Sequence, residues 1–411
     1  MSKRWNSYLT GILRITGRSV AALLIVQLLS GGILSPQRFV FFPIYAEEQL
    51  GYSAVVISMW VAAGQFLGML AAIISGAVGD KVGHKWTLLL GLVGFVLGSL
   101  IYLVSTPWLM FVFWAAGGLG QGFHAVGGQG YLIESAGSKH LGVLSALYNW
   151  GFTLGGALGS AVGGIILDQH GFIPFGMTML IVSLATVMGA AAFLPTLRPS
   201  TQHQTASLVG SLTSYRQVVR QPAVAILSLM RFLPTCYWGM AAVLIPLLVN
   251  RGAESKTAVA LYATTSQILA SLAQIGAGQA ADRWGAGRPT LIAFSVLTSS
   301  IFGLALTGNE LWGLFLFGTT AACAAWSLST LMPTLVSIAA SAEERGRVLG
   351  ALHLLWNLAM MVGAVIGGSL LSIAVGLPFF VAGLLNLGAL ALTMLFFRTV
   401  ALRTAGSLAN D

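Results

Sequence analysis

The sequence predicts an all-α membrane protein with twelve transmembrane helices in two pseudo-symmetric six-helix bundles. Three observations predict it. Hydrophobic residues make up 56% of the 411 residues and charged residues 8%, against about 25% charged in a soluble domain. The apolar residues gather in runs long enough to cross a bilayer, which takes about 20 residues. The second half of the chain repeats landmarks of the first at a nearly constant offset. The composition excludes a soluble enzyme, a disordered chain and a disulfide-stapled secreted domain. The continuity of the runs excludes β-barrel strands, which alternate at period two.

Twelve runs follow one another, at roughly 19–45, 54–79, 86–104, 108–133, 143–167, 172–195, 222–249, 257–281, 289–308, 311–339, 348–374 and 377–397. Ahead of the first, Trp5, Tyr8, Leu9, Ile12 and Leu13 sit among Lys3, Arg4 and Arg14, the pattern of a short in-plane amphipathic helix. The run after it is too long for a cleaved signal peptide. Residues 196–221 carry Pro199 and a Ser/Thr/Gln-rich stretch and read as a linker. The expected domains are therefore 1–195, a linker 196–221, and 222–411.

Charge sets the expected orientation. Of the 20 basic residues, Arg251 and Lys256 fall in loops on one side and Arg38 and Arg231 inside spans. All the others fall on the opposite side with both termini. Lys and Arg stay cytoplasmic, so a plasma (inner) membrane protein with both termini in the cytoplasm is expected. This topology also explains the net charge of +9. A nucleic-acid partner is not expected, because that requires basic residues clustered on a wettable face. Cys236 and Cys323 lie in apolar runs and read as small core residues.

Asp80-Lys81-x-Gly83 recurs as Asp282-Arg283-x-Gly285, an offset of 202, and Pro43 recurs as Pro246, an offset of 203. Gly142, Gly159, Gly163 and Gly164 recur as Gly346, Gly363, Gly367 and Gly368, an offset of 204. Two parallel six-span repeats are a known transporter plan, with the substrate site near the midplane between them.

The loop after span two runs from Gly76 through Asp80, Lys81, Gly83 and His84 to Lys85. It resembles the signature loop of the major facilitator superfamily, Gly-x-x-x-Asp-Arg/Lys-x-Gly-Arg-Arg/Lys. The resemblance extends over the whole chain through span count, central linker and repeat. It implies the twelve-helix fold of that superfamily and alternating access. It also implies that Asp80 latches the cytoplasmic side against Gly346 and Arg347 at the start of span eleven. Gly76, Lys81, Gly83, Lys85, Asp282 and Arg283 would complete the gate. A plain topology-fixing turn is the alternative. Gly155-x-x-x-Gly159-Ser160 in span five allows close helix approach. It also resembles the glycine motif of the family's drug antiporters, with Ser160 where that motif has proline.

Ionisable groups inside a membrane are costly and are functional candidates by default. Arg38 falls in the outer half of span one and Arg231 in the inner third of span seven. The resemblance places both spans on the central cavity. A guanidinium offers a bidentate fork to carboxylate or phosphate. For Arg38, snorkelling towards the interface near Glu47 is the alternative. Gln27, eleven positions earlier, is expected on the same helical face as Arg38. Trp238 shares a face with Arg231. Span four adds Gln121 and His124, and span eleven adds His353, Trp356 and Asn357. His124 is poised to titrate near neutral pH, or else is a buried, hydrogen-bonded core histidine.

No Asp or Glu lies mid-span; Glu134, at the end of span four, comes nearest. The arginine that drug–proton antiporters of the family carry before Gln121-Gly122 is replaced by Gly118. No nucleotide-binding loop, metal cluster or nucleophile triad stands out. A cofactor, a metal and enzymatic activity are therefore not expected. The favoured function is secondary transport of a small organic solute, anionic or amphipathic. Arg38, Arg231, Gln27, Gln121, His124, Trp238 and Asn357 would form its site. Expected partners are that solute and membrane lipid, with protons (through His124 or Glu134) or a counter-anion for coupling; a monomer is expected. Proton-coupled multidrug efflux is the runner-up, and a transport-inactive scaffold binding lipid, pigment or a partner is the third reading.

Overall fold

The computed structural model describes residues 17–136, 141–197, 219–341 and 344–408, with the side chains of these except at 77, 80, 136, 141–143, 146, 346 and 401–408. The in-plane segment around Trp5 and nearly all of the linker lie outside the described residues. Among the described residues there is no strand, and twelve helices are long and apolar enough to cross a membrane. They are Arg18–Glu48, Ala54–Val82, His84–Leu103, Pro107–Ala136, Leu141–His170, Phe172–Phe193, Pro222–Ala253, Lys256–Trp284, Gly287–Thr307, Leu311–Ala339, Arg345–Leu371 and Gly376–Leu408, spans one to twelve below. All twelve expected spans are present, and most ends lie within a few residues of the expected ones.

Helices pair most of their backbone groups within the span, as hydrocarbon demands. Side chains then decide the packing. Many large apolar residues point outward, such as Ile181 and Met188 of span six. A soluble protein would bury such residues, whereas lipid solvates them.

The chain packs as two compact units. One runs within Met1–Arg38 and Leu67–Thr205, the other within Phe39–Phe66 and Ala206–Asp411. The sequence repeat and this packing cut the chain differently, because the outer parts of spans one and two pack with the second unit.

Span one is not a plain α-helix. Arg18–Gln27 is α-helical, Leu28–Ile33 and Gln37–Phe41 are π-helical, and Phe42–Glu48 is α-helical again. The sequence explains the break. Gly31 and Gly32 weaken the helix, and Pro36 has no N–H to give the Gly32 carbonyl. Ser35 serves that carbonyl instead, with its N–H at 3.1 Å and its hydroxyl at 3.0 Å. Leu34 N–H bonds Leu29 O at 2.9 Å, the i to i+5 pattern of a π turn.

The signature loop is tighter than the sequence suggests. Span two runs to Val82 and span three begins at His84, so Gly83 alone makes the turn, at φ +92°. Its repeat partner Gly285 turns the chain between spans eight and nine at φ +75°. Both conformations favour glycine.

Candidate functional site

The first unit holds a polar cluster around the π turn of span one. His124 Nε2 lies 2.7 Å from Ser30 Oγ, and the Ser30 hydroxyl is also 2.7 Å from Val26 O. The Val26 carbonyl can only accept, so the Ser30 hydroxyl donates to it and the His124 contact pairs Nε2–H as donor with the Ser30 oxygen. The His124 ring packs edge-on against Phe95 at 5.2 Å, and both Ser30 and His124 are buried. His124 is thus buried and hydrogen-bonded, with its partner on span one. Gln27 Oε1 and Gln121 Oε1 are buried with no hydrogen-bond partner among the described residues. Such oxygens are costly to leave unpaired.

Span five closes this cluster. Cβ atoms built on Gly155 would lie 2.7 Å from Gly32 Cα, and on Gly159 2.7 Å from Ile33 Cα. The Gly155-x-x-x-Gly159 spacing thus seats span five on the π turn.

Arg38 sits apart from Gln27. Its guanidinium lies 3.9 Å over the Trp114 ring, and Nη1 donates to Trp114 O at 3.3 Å. Nη2 is buried with no hydrogen-bond partner among the described residues. Gln27 faces Gly31 and Gly151 instead. A shared face at eleven residues assumes 3.6 residues per turn, and the π turn at Leu28–Ile33 between the two residues breaks that phase. Glu47 is not the counterion of Arg38, because it accepts Arg251 Nε at 2.9 Å.

The second unit holds the other arginine. Pro234 lies inside span seven and cannot donate to the Met230 carbonyl, which loosens the helix beside Arg231. The Thr235 hydroxyl donates to Arg231 O at 2.7 Å. Span eleven, which carries His353, packs on span seven. The His353 ring stacks on Trp356 at 5.9 Å and 13°. Asn357 Nδ2 donates back to His353 O at 3.0 Å. Trp238 meets Trp326 of span ten edge-on at 6.2 Å. Among the described residues no carboxylate pairs with Arg38 or Arg231.

The loop residues are placed as follows. The backbone of Asp80 lies in the last turn of span two, and its side chain is outside what is described. Gly76 also lies on span two, Lys81, Asp282, Arg283 and Arg347 are exposed, and Lys85 Nζ donates to Ala191 O at 3.0 Å. His84 Nδ1 meets Glu134 Oε1 at 2.7 Å, so Glu134 is tied to the start of span three. Across the second unit, Gln221 Nε2 donates to Glu344 Oε1 at 2.9 Å, and this bond holds the Glu344 carboxyl below the usual carboxylate range.

One cluster escaped the sequence reading. At the far end of span one, Glu47 pairs with Arg251, while Glu48 accepts Asn250 Nδ2 at 2.8 Å and Lys256 Nζ at 2.9 Å. Both basic residues of that side are thus engaged. Its signal was in the sequence: Glu47-Glu48 precedes Asn250-Arg251 by 203 residues, the offset of Pro43 and Pro246. The pairs are half exposed, so each contributes only about 0.2–1 kcal/mol. Glu48→Lys is expected to lower the unfolding temperature slightly at low salt and less at high salt. Adding Lys256→Glu is expected to restore it, as thermal unfolding of the double variant will show.

A family model described as Major Facilitator Superfamily matches residues 23–342 and 227–409. "Multidrug resistance protein 1" of Bacillus subtilis (strain 168) is 22% identical over 355 residues, spanning 84% of this chain and 88% of that protein. "Multidrug resistance protein MdtH" of Photorhabdus laumondii subsp. laumondii is 26% identical over 369 residues, spanning 85% and 88%. The solved structure of the nucleoside transporter NupG superposes with a TM-score of 0.76 at 15% identity, over 92% of this chain and 99% of that one. At that identity the likeness concerns the fold.

Proposed function

The chain belongs to the Major Facilitator Superfamily and is a multi-pass membrane transporter, and from that premise we propose that it carries a small anionic or amphipathic organic solute by alternating access. One observation carries this reading. Arg38 and Arg231 stand inside spans, and neither has a carboxylate partner among the described residues. A membrane-buried guanidinium needs compensation, and an anionic cargo supplies it. Gln27, Gln121, His124, Trp238 and Asn357 shape the site in this proposal. Asp80, with Gly76, Lys81, Gly83, Lys85, Asp282, Arg283 and Arg347, gates the cytoplasmic side, and Glu47–Arg251 and Glu48–Lys256 hold the opposite one. Both termini are cytoplasmic, and the cargo is moved without chemical change. Uptake into proteoliposomes of matched organic anions, cations and neutral solutes tests the proposal. Preference for the anion supports it, and preference for the cation overturns it.

A second reading is proton-coupled drug efflux, favoured by the two relatives named as multidrug resistance proteins and by the His124–Ser30 pair. In that case His124→Gln is expected to remove the dependence of transport on an imposed pH gradient while binding persists. A mutant that still follows the gradient moves the proton role to Glu134.

A further inference from the structure

The tryptophans sort by position, and three are left over. Trp86, Trp108, Trp284 and Trp312 are exposed near span ends, where such rings settle at the membrane interface, and Trp150 is exposed on the outer surface of span five. Trp60 packs on Phe42 and Tyr52, and Trp114 lies beneath Arg38. Trp238, Trp326 and Trp356 fit neither group. They lie near the middles of spans seven, ten and eleven, all within the second unit, and each stays partly accessible.

These three lie on span seven, which carries Arg231, and on spans ten and eleven packed against it. Trp238 is seven residues beyond Arg231 on the same face of span seven, about 10 Å along the axis. Trp326 meets Trp238 at 82°, so the two rings form a corner. Trp356 stacks on His353, and span eleven meets span seven where a Cβ on Gly239, next to Trp238, would lie 2.9 Å from the Cα of Met360, one turn beyond Trp356. Ring faces and edges thus lie along the helix that carries the positive charge of Arg231 and along its packed neighbours. A cation would gain from the rings and lose to Arg231. An aliphatic anion would use Arg231 and leave the rings idle. A flat anion uses both, since a guanidinium forks onto a carboxylate and aromatic pairs favour stacked or edge-on contact.

We propose that Arg231, His353, Trp356, Trp238 and Trp326 select a planar aromatic carboxylate as cargo. This rests on the anion reading and narrows it. The test uses 2-naphthoate and its saturated counterpart, decahydro-2-naphthoate, titrated onto the purified full-length protein. These probes share charge and approximate size and differ in ring faces. The naphthoate is expected to bind at least tenfold more tightly. Trp326→Leu and Trp356→Leu should each shrink that preference to threefold or less. Trp326→Phe and Trp356→Phe, which keep a ring, should retain most of it and show that the site still folds. Equal binding of the two acids by the unmodified protein overturns the aromatic proposal and leaves the anion reading standing. Tighter binding of 2-naphthylmethylammonium than of either acid overturns both.

Discussion

Arg231→Lys is expected to weaken binding of a carboxylate or phosphate cargo by tenfold or more, about 1.4 kcal/mol. Lysine keeps the charge but loses the planar fork, which matters where a site reads geometry as well as sign. Arg231→Gln is expected to lose more, because it removes the charge as well. Titration of the purified variants checks both. If each binds as the unmodified protein does, Arg231 is compensated by carbonyls or lipid, and the anion reading loses its main support. Arg38 serves as the comparison. It already spends one nitrogen on the Trp114 carbonyl and its face on the Trp114 ring. Arg38→Lys is therefore expected to disturb packing as well as binding.

Gly363→Leu is expected to abolish correct folding. A Cβ at Gly363 would lie 2.8 Å from Cys236 Cα, and one at Gly239 would lie 2.9 Å from Met360 Cα. Spans seven and eleven therefore touch backbone to backbone, with no flexible side chain to yield. Overpacking a core typically costs about 1–3 kcal/mol, and a leucine here must push two helices apart along their length. The expected result is aggregated protein on size exclusion in detergent. Gly276→Leu makes a matched control, since no atom lies within 4 Å of a Cβ there, and it is expected to elute as the unmodified protein does.

This contact also shows what the sequence could reveal. Gly363 repeats Gly159 at an offset of 204. In the first unit Gly159 seats span five on span one, and in the second Gly363 seats span eleven on span seven. A repeat in letters became a repeat in packing, because only glycine permits that approach. Span number was legible for a similar reason: hydrocarbon demands long apolar helices wherever they lie. Side-chain facing was less legible. The angle between Gln27 and Arg38 depends on hydrogen-bond phase, and Gly31, Gly32 and Pro36 altered it. The partners of Trp238 and Glu47 lie far away in sequence, and no local rule joins Trp238 to Trp326. The complementarity of Glu47-Glu48 with Asn250-Arg251, 203 residues on, was readable only by laying the two halves side by side.

The π turns of span one carry a mechanical consequence. Each such turn holds one residue more than an α turn of the same height. Returning Leu28–Ile33 to α geometry would release that residue into the helix. Everything beyond it would rotate by about 100° and advance by about 1.5 Å. Arg38 would swing off the Trp114 ring, and Glu47 and Glu48 would turn away from Arg251 and Lys256. Span one can thus act as an indexed shaft, in which one local change of hydrogen-bond partner reorients a charge in mid-membrane and two at its end together.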